Sequence, residues 1–204
     1  MKKRLFPLFI ILAFSTVGFS QLGIKAGVNL STLYSNSEDI SDKQAAFGYQ
    51  AGLILGLPVD NRFSIQPEAI YTRKGASYDA FQTQIDAAFS YVDFPVLLVF
   101  KPELMPSFRM HVGPQFSWLV DVEYEFTNEL TGSETEIDGN KNNYSEWDFG
   151  LAMGISIHGK KSFAELRFAQ GFKDIEKPRE IGGIQFGNSN IKNFTLQLSG
   201  GLFF

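Results

Sequence analysis

The sequence predicts an all-β fold, specifically an eight-stranded antiparallel up-and-down transmembrane β-barrel. Three observations predict it. Eight segments alternate apolar residues with small or polar ones at a period of two, which is the pattern of a strand with two different faces. Short and long connections between these segments alternate strictly, and aromatic residues collect near both ends of the apolar faces.

Residues 1–20 have the pattern of a secretory signal peptide. A charged start at 2–4 precedes an apolar core at 5–14, and small residues lie at the cleavage position. A membrane anchor helix is the alternative, but the run is short and an alternating strand follows it at once. We expect cleavage before Gln21, which leaves residues 21–204 as one outer-membrane barrel domain.

The first four predicted strands lie in the N-terminal half of the chain. In the first of them, Leu22 and Ile24 lie on one face, and Gly23 and Lys25 lie on the other. The fourth is the weakest case, because FSYVDFPVLLVF is apolar on both faces towards its end. The four segments are 22–30, 47–57, 62–72 and 89–100.

The last four predicted strands alternate most clearly. They are 107–122, 146–158, 162–172 and 193–204. In the first of these, the polar face is predicted to include Arg109, His111 and Asp121. The final strand ends on Phe204 in the same parity as its other apolar residues, as the last strand of an outer-membrane barrel does. We expect Phe204 to be an assembly signal that the barrel assembly machinery recognises through this strand.

The connections have the order of an up-and-down barrel. Such a barrel starts and ends in the periplasm and has three tight turns there and four longer loops outside the cell. The short connections are 58–61, 101–106 and 159–161, and the long polar ones are about 31–46, 73–88, 123–145 and 173–191.

Alternation alone does not decide which face points inward, because a lipocalin-like soluble barrel would bury its apolar face. The polar faces are rich in Gly and Ser, which suit a crowded interior, and no charge lies on an apolar face. Aromatic residues form two girdles about ten residues apart, as tilted spanning strands require. The girdle near the loops contains Phe47, Tyr49, Tyr71, Trp118, Trp147, Phe149, Phe172 and Phe194, and the girdle near the turns contains Phe63, Phe100, Phe108 and Phe204.

Three prolines lie inside predicted strands: Pro67, Pro95 and Pro114. A closed barrel has no free edge where the missing N–H would be harmless. We therefore expect bulges or strand ends at these positions, with the alternation shifted by one residue beyond each.

Several segments resemble those of the PorT family of outer-membrane β-barrel proteins. They are GIKAGVNLS (23–31), FSIQPEAIYTRKG (63–75), YVDFPVLLVFKP (91–102), HVGPQFS (111–117) and LSGGLFF (198–204). The resemblance covers nearly the whole predicted mature chain and implies an eight-stranded outer-membrane barrel. These are strand and turn patterns rather than catalytic signatures, so the resemblance implies no activity. One member is tied to a protein secretion system, and that role is not transferred here.

Five charged residues of the inward-facing parity are candidates for the lumen, and most lie in the half of the strands near the turns. Because an eight-stranded barrel is filled by its own side chains, buried charges there have to pair. We predict a structural ion-pair network and no pore, whereas the alternative, a proton or ion path, would need a continuous wet lumen. The five residues are Lys25, Glu68, Arg109, Glu165 and Arg167.

Little in the composition supports catalysis or a cofactor. The chain has no cysteine and two histidines, and neither His111 nor His158 has a Ser and a carboxylate at suggestive spacing on the lipid face. The six carboxylates between 123 and 138 lack the spacing of an EF-hand, so a solvated acidic loop is favoured over a Ca²⁺ site. We predict no enzyme, no metal site and no cofactor.

The predicted function is a scaffold or interaction barrel that lies in outer-membrane lipid. Any protein partner is expected to bind the long extracellular loops at 123–145 and 173–191. The net charge of −4 without a basic run argues against a nucleic-acid partner. The alternatives are a small barrel that only stabilises the membrane or adheres to surfaces, and a lipid-modifying enzyme.

Overall fold

The computed structural model describes residues 21–34, 44–80, 83–128, 134–139, 141, 144–174, 179–181, 184–186 and 192–204. The predicted signal peptide at 1–20 lies outside the described residues. No helix in the described ranges is long and apolar enough to cross a membrane. The strands are β1 Gln21–Tyr34, β2 Gln44–Pro58, β3 Phe63–Ala80, β4 Thr83–Phe100, β5 Phe108–Asn128, β6 Glu134–Asp138, β7 Trp147–His158, β8 Ser162–Gly171, β9 Arg179–Ile181, β10 Ile184–Phe186 and β11 Lys192–Phe203.

Eight of these strands close into an antiparallel barrel, which confirms the predicted fold. Their order around the barrel is β1-β2-β3-β4-β5-β7-β8-β11, so each pairs with the next along the chain. The circle closes where β11 pairs with β1, from Gly23 opposite Phe203 to Tyr34 opposite Lys192. Closure pairs both sides of every one of these strands, which is the condition for a sheet to span lipid.

The short connections agree with the prediction, but the long ones contain more strand than expected. The barrel end at 59–62, 101–107 and 159–161 is called the turn end, and the opposite end is called the loop end. β3 and β4 continue through the predicted loop 73–88 until Ala80 pairs with Thr83. β5 runs to Asn128 and pairs with β6, and β9 pairs with β10 within 173–191. The parts of these strands that extend beyond the membrane do not need an apolar face. Their residues are therefore as polar as those of a loop, which is why the sequence predicted loops there.

The apolar parity faces outward and the polar parity faces inward. On β11, Leu198 is 58% exposed whereas the adjacent Gln197 is 1% exposed. At the loop-end girdle, Trp118 and Trp147 stack with ring centres 5.5 Å apart. This inside-out distribution is that of a wall whose outer face meets lipid.

The prolines do not shift the alternation, so that prediction was wrong. Pro67 pairs with Val96 on β4, and the β3–β4 ladder keeps one register from end to end. Pro95 and Pro114 likewise lie in ladders whose register is the same on both sides of the proline. Each proline removes one N–H from the ladder, but neighbouring strands on both sides hold the register.

The alternation shifts at a β-bulge instead. Ser90 pairs with Asp121 but Tyr91 pairs with Leu119, so Val120 is an extra residue on β5. Beyond it Asp121 is exposed and Val122 is fully buried. The prediction that Asp121 faces inward was therefore wrong. The extra residue is a valine and neither a glycine nor a proline, so the sequence gives no sign of the bulge.

Candidate functional site: the lumen and the loop end

Three strands bring four of the five predicted lumen charges together. The alternation of each strand directs these side chains inward, where each is at most 6% exposed. Gly201 and Gly52 are the ladder partners of Lys25 on its two neighbouring strands. The four residues are Lys25 on β1, Glu68 on β3, and Glu165 and Arg167 on β8, and they are called the ion-pair network.

Arg167 is the centre of the ion-pair network. Its Nη1 and Nη2 donate to Oε2 and Oε1 of Glu68, each at 2.7 Å, and Nη2 also donates to Glu165 Oε2 at 2.9 Å. Lys25 Nζ donates to Glu165 Oε1 at 2.6 Å and lies 3.5 Å from Glu68 Oε2. Two cations thus contact two carboxylates, so the network has no net charge.

Neutral side chains complete the bonding of both carboxylates. Gln66 Nε2 donates to Glu68 Oε1 at 2.7 Å, and Ser199 Oγ donates to Glu165 Oε1 at 3.3 Å. His111 Nε2 lies 3.6 Å from Glu165 Oε2. All four carboxylate oxygens therefore have a hydrogen-bond donor. This is what buried charges require, because an unpaired one is strongly destabilising.

The fifth predicted charge, Arg109, lies apart from the network. It is half-buried near the turn end and belongs to none of the ion pairs among the described residues. Phe204, the predicted assembly signal, is 71% exposed, and its backbone N–H donates to the carbonyl of Leu22 at 2.9 Å. Phe204 thus lies on the outer face, at the seam where β11 meets β1.

A second buried ion pair lies nearer the loop end and was missed in the sequence. Lys74 Nζ lies 2.9 Å from Asp93 Oδ2 and 4.9 Å from the centre of the Tyr91 ring. The predicted loop 73–88 had placed Lys74 outside the barrel. Continuing the alternation of β3 from Glu68 by steps of two leads to Lys74, and that signal would have found it.

A cluster of apolar side chains lies inside the barrel near each end. At the turn end Ile54, Phe163 and Phe203 pack together, and the two phenyl rings have centres 5.4 Å apart. Gly201 makes room for them, because a side chain there would overlap the Phe163 ring. At the loop end a second apolar cluster contains Ala87, Phe89, Tyr91, Leu119 and Val122, with Tyr124 and Tyr144 packed against it.

One serine–histidine pair lies inside the barrel near the turn end. Ser156 Oγ and His158 Nε2 are 3.0 Å apart, which is the spacing of a nucleophile and its base. Ser156 is however only 4% exposed, and the His158 ring packs against the rings of Phe163 and Phe203. Within the described residues, no three or more His, Cys, Asp or Glu are grouped to hold a metal ion.

The loop end rises much higher on one side of the barrel. β3 continues past Tyr71 to Ala80, about 30 Å of strand at ~3.3 Å per residue, and β5 carries β6 on its edge. β7 and β8, by contrast, stop near the girdle at Trp147 and Gly171. The raised part, which contains residues 72–80, 83–90, 119–128 and 134–138, is called the loop-end wall.

The chain is similar to known outer-membrane barrel proteins. The family model for the outer membrane protein beta-barrel domain matches residues 13–177. Neisserial surface protein A (NspA) has 12% identity and a TM-score of 0.50, with 90% of this chain and 97% of that chain covered. No curated protein sequence matches the chain.

Two further solved structures are similar in fold. Ail, the attachment invasion locus protein of Yersinia pestis, solved in complex with the heparin analogue sucrose octasulfate, has 12% identity and a TM-score of 0.49 over 91% of this chain and 99% of that chain. OprG from Pseudomonas aeruginosa has 13% identity and a TM-score of 0.44 over 91% and 96%. The family match covers most of the chain, and the eight paired strands agree with it. The chain therefore belongs to the outer membrane protein beta-barrel domain family, whose members are barrels of the outer membrane.

Proposed function

We propose that the protein is a non-porous outer-membrane scaffold whose binding role belongs to the loop end. The observation that carries this proposal is the filled lumen. Among the described residues an apolar cluster, the ion-pair network, the Lys74–Asp93 pair and a second apolar cluster follow one another from the turn end to the loop end. With the turns in the periplasm, the loop-end wall stands outside the cell.

The geometry of the lumen supports the absence of a conducting path. Arg167, at the centre of the network, is 1% exposed. The cavity beside Lys74 measures about 10 Å³, which is no more than one water molecule occupies. An ion passing along the axis would have to separate buried ion pairs and then displace an apolar cluster, and both steps are costly.

The edge of the loop-end wall supports a protein partner. β6 pairs with β5 and is the last strand of its sheet among the described strands. A sheet edge presents N–H and C=O groups that an extended segment of another protein can pair with. Because the sequence of β6 is ETEID, the complementary segment would be basic. The hairpin of β9 and β10 within 173–191 offers a second contact surface.

Conductance in planar bilayers tests the closed lumen. We expect the purified protein to show no steady current, and we expect a variant with alanine at all four positions of the ion-pair network to conduct if it folds. A stable ohmic current from the wild-type protein, altered by Arg167→Gln, would contradict the proposal.

Site-specific photocrosslinking on intact cells tests the partner surface. A photoreactive residue at Glu136 on β6 is compared with one at Lys160, which is exposed at the turn end. We expect a defined protein adduct from position 136 that added basic peptide suppresses. The absence of any adduct at 136, or the same adduct from both positions, would remove the loop-end wall as the binding site.

The same proposal includes three expectations from the sequence. Export would use a cleaved signal peptide, so mass spectrometry of the mature protein should find Gln21 at its N-terminus.

PorT-like membership is proposed because several segments resemble that family, and the genes that neighbour this one would test it. Since the protein is proposed to have no enzymatic activity, a deletion strain should keep its lipid A and phospholipid profile.

A further inference from the structure

Two cavities that share part of their lining open at the turn end of the barrel. The larger has a volume of about 190 Å³ and is lined by Arg109, His158, Lys160, Lys161 and Phe204, among others. The smaller has a volume of about 50 Å³, and its polar lining includes Lys101, Ser64 and Gln66. Arg109 lines both cavities, as do Gln21 and Phe203. Four cationic side chains therefore border this pair of cavities, and Arg109 borders both.

Arg109 is the cation of this group that most clearly lacks a partner. Its Nε is buried and has no hydrogen-bond partner in the described part of the chain. None of the ion pairs among the described residues includes Arg109, Lys101, Lys160 or Lys161. Burial, and then the charge of Arg109, lower the pKa of Lys101, so these cations lie close enough to repel one another.

The carboxylates near the turn end are engaged elsewhere. Asp60 Oδ1 accepts hydrogen bonds from the backbone N–H groups of Arg62 and Phe63 at 2.7 and 2.6 Å. Glu103 lies 3.7 Å from the side chain of Arg62. Glu165, deeper in the lumen, is held by Lys25 and Arg167. Asp60 lies near enough to act on Lys101, but no carboxylate side chain lines either cavity. The lining side chains that carry charge are therefore cationic.

We propose that this cavity binds a phosphate group. A guanidinium fork matches two oxygens of a tetrahedral phosphate, and the surrounding ammonium groups supply point charges for the others. The cavity lies at the same end as the girdle formed by Phe63, Phe100 and Phe108, where the barrel leaves the hydrocarbon. The phosphate comes either from the headgroup of an anionic phospholipid or from free phosphate, since the recognition chemistry is the same.

Binding measurements on the folded protein in detergent test this site. Native mass spectrometry measures retention of phosphatidylglycerol against uncharged diacylglycerol, and ³¹P line broadening measures binding of inorganic phosphate. We expect saturable binding that Arg109→Gln weakens at least ~tenfold, because a hydrogen bond to a charged group contributes that much. Arg62→Gln is the matched control: it removes the same charge from the same end, but Arg62 is exposed and lies outside both cavities.

Each outcome decides the proposal. Retention of phosphatidylglycerol alone assigns the site to a lipid headgroup, whereas saturable binding of inorganic phosphate assigns it to the free ion. If Arg109→Gln does not fold, as judged by gel migration before and after boiling, the double variant Lys101→Gln/Lys161→Gln takes its place. Absence of saturable binding of either probe, or equal loss in Arg62→Gln, would overturn the proposal.

Discussion

The two buried ion-pair groups of the lumen differ in how many partners each charge has. In the ion-pair network, Arg167 contacts two carboxylates and Lys25 lies within 3.5 Å of both. In the pair nearer the loop end each charge has one partner: Lys74 Nζ lies 3.0 Å from Oδ1 and 2.9 Å from Oδ2 of Asp93, with a Tyr ring beside the ammonium. The network lies where the wall is in lipid, and the pair lies beside a small polar cavity that Gln115 and Ser117 line.

This difference shows how a small barrel tolerates charge in its core. Where water is excluded, several short contacts have to replace hydration, and a neutral set of four does so with every carboxylate oxygen bonded. Where a water molecule has room, one charged partner is enough. The loss caused by removing one charge should therefore fall with the number of its charged partners, and fall again for a pair that is exposed to solvent. The following changes test that order.

The largest loss is expected from Arg167→Met. This change leaves Glu68 and Glu165 facing each other with only Lys25 between them, and breaking a buried pair in this way costs about 3–5 kcal/mol. Urea unfolding from lipid vesicles, followed by tryptophan fluorescence, measures the loss. The double variant Arg167→Met/Glu68→Gln restores charge balance and should recover part of it. A double variant as unstable as the single one would mean that charge balance is not what matters.

A smaller loss, about 1–3 kcal/mol, is expected from Lys74→Met, which leaves Asp93 without its cation. Water entering the adjacent cavity should limit the loss. The same unfolding measurement applies, and Lys74→Met/Asp93→Asn is the charge-neutral control. A loss equal to that of Arg167→Met would show that the number of partners does not set the order.

The half-exposed pair of the loop-end wall should contribute less again. Arg73 Nη2 donates to Glu123 Oε2 at 3.0 Å, and both side chains are about one-third exposed. We expect Arg73→Gln to cost about 0.2–1 kcal/mol, less at high salt. Arg62→Gln, which removes the exposed contact with Glu103, should cost nothing measurable. A salt-independent loss at Arg73 would point to packing instead of charge.

A small, pH-dependent effect is expected at the turn end, where Asp60 is fully exposed. Hydrogen bonds from the backbone N–H groups of Phe63 and Arg62 hold the pKa of Asp60 below its usual value. Its contribution to stability is therefore full above the usual pKa of about 3.9 and is lost as pH falls through the lower folded value. The wild-type urea midpoint should exceed that of Asp60→Asn at pH 7 and approach it at acidic pH. A difference that does not change with pH would exclude this role.

Much of the barrel wall could be predicted from the sequence, because the direction in which each side chain points depends only on its position along its own strand. Side chains of a strand alternate between two faces, so the parity of Leu198 and Gln197 could be assigned without knowledge of any other strand. The inward positions of Lys25, Glu68, Glu165 and Arg167 follow in the same way. Lys74 was missed for a related reason: the prediction ended β3 where its outer face became polar, although the strand continues to Ala80.

The sequence by itself determined the number of barrel strands, their two faces and the alternation of turns and loops, because each depends on residues close together in the chain. Only the tertiary structure decided which inward charges meet. Lys25 and Glu165 are brought within 2.6 Å by the stagger of strands around the closed barrel, and the same stagger leaves Arg109 at the turn end. The bulge at Val120 was likewise decided by pairing between β4 and β5. Stagger is a property of the closed sheet as a whole, so no single strand contains it.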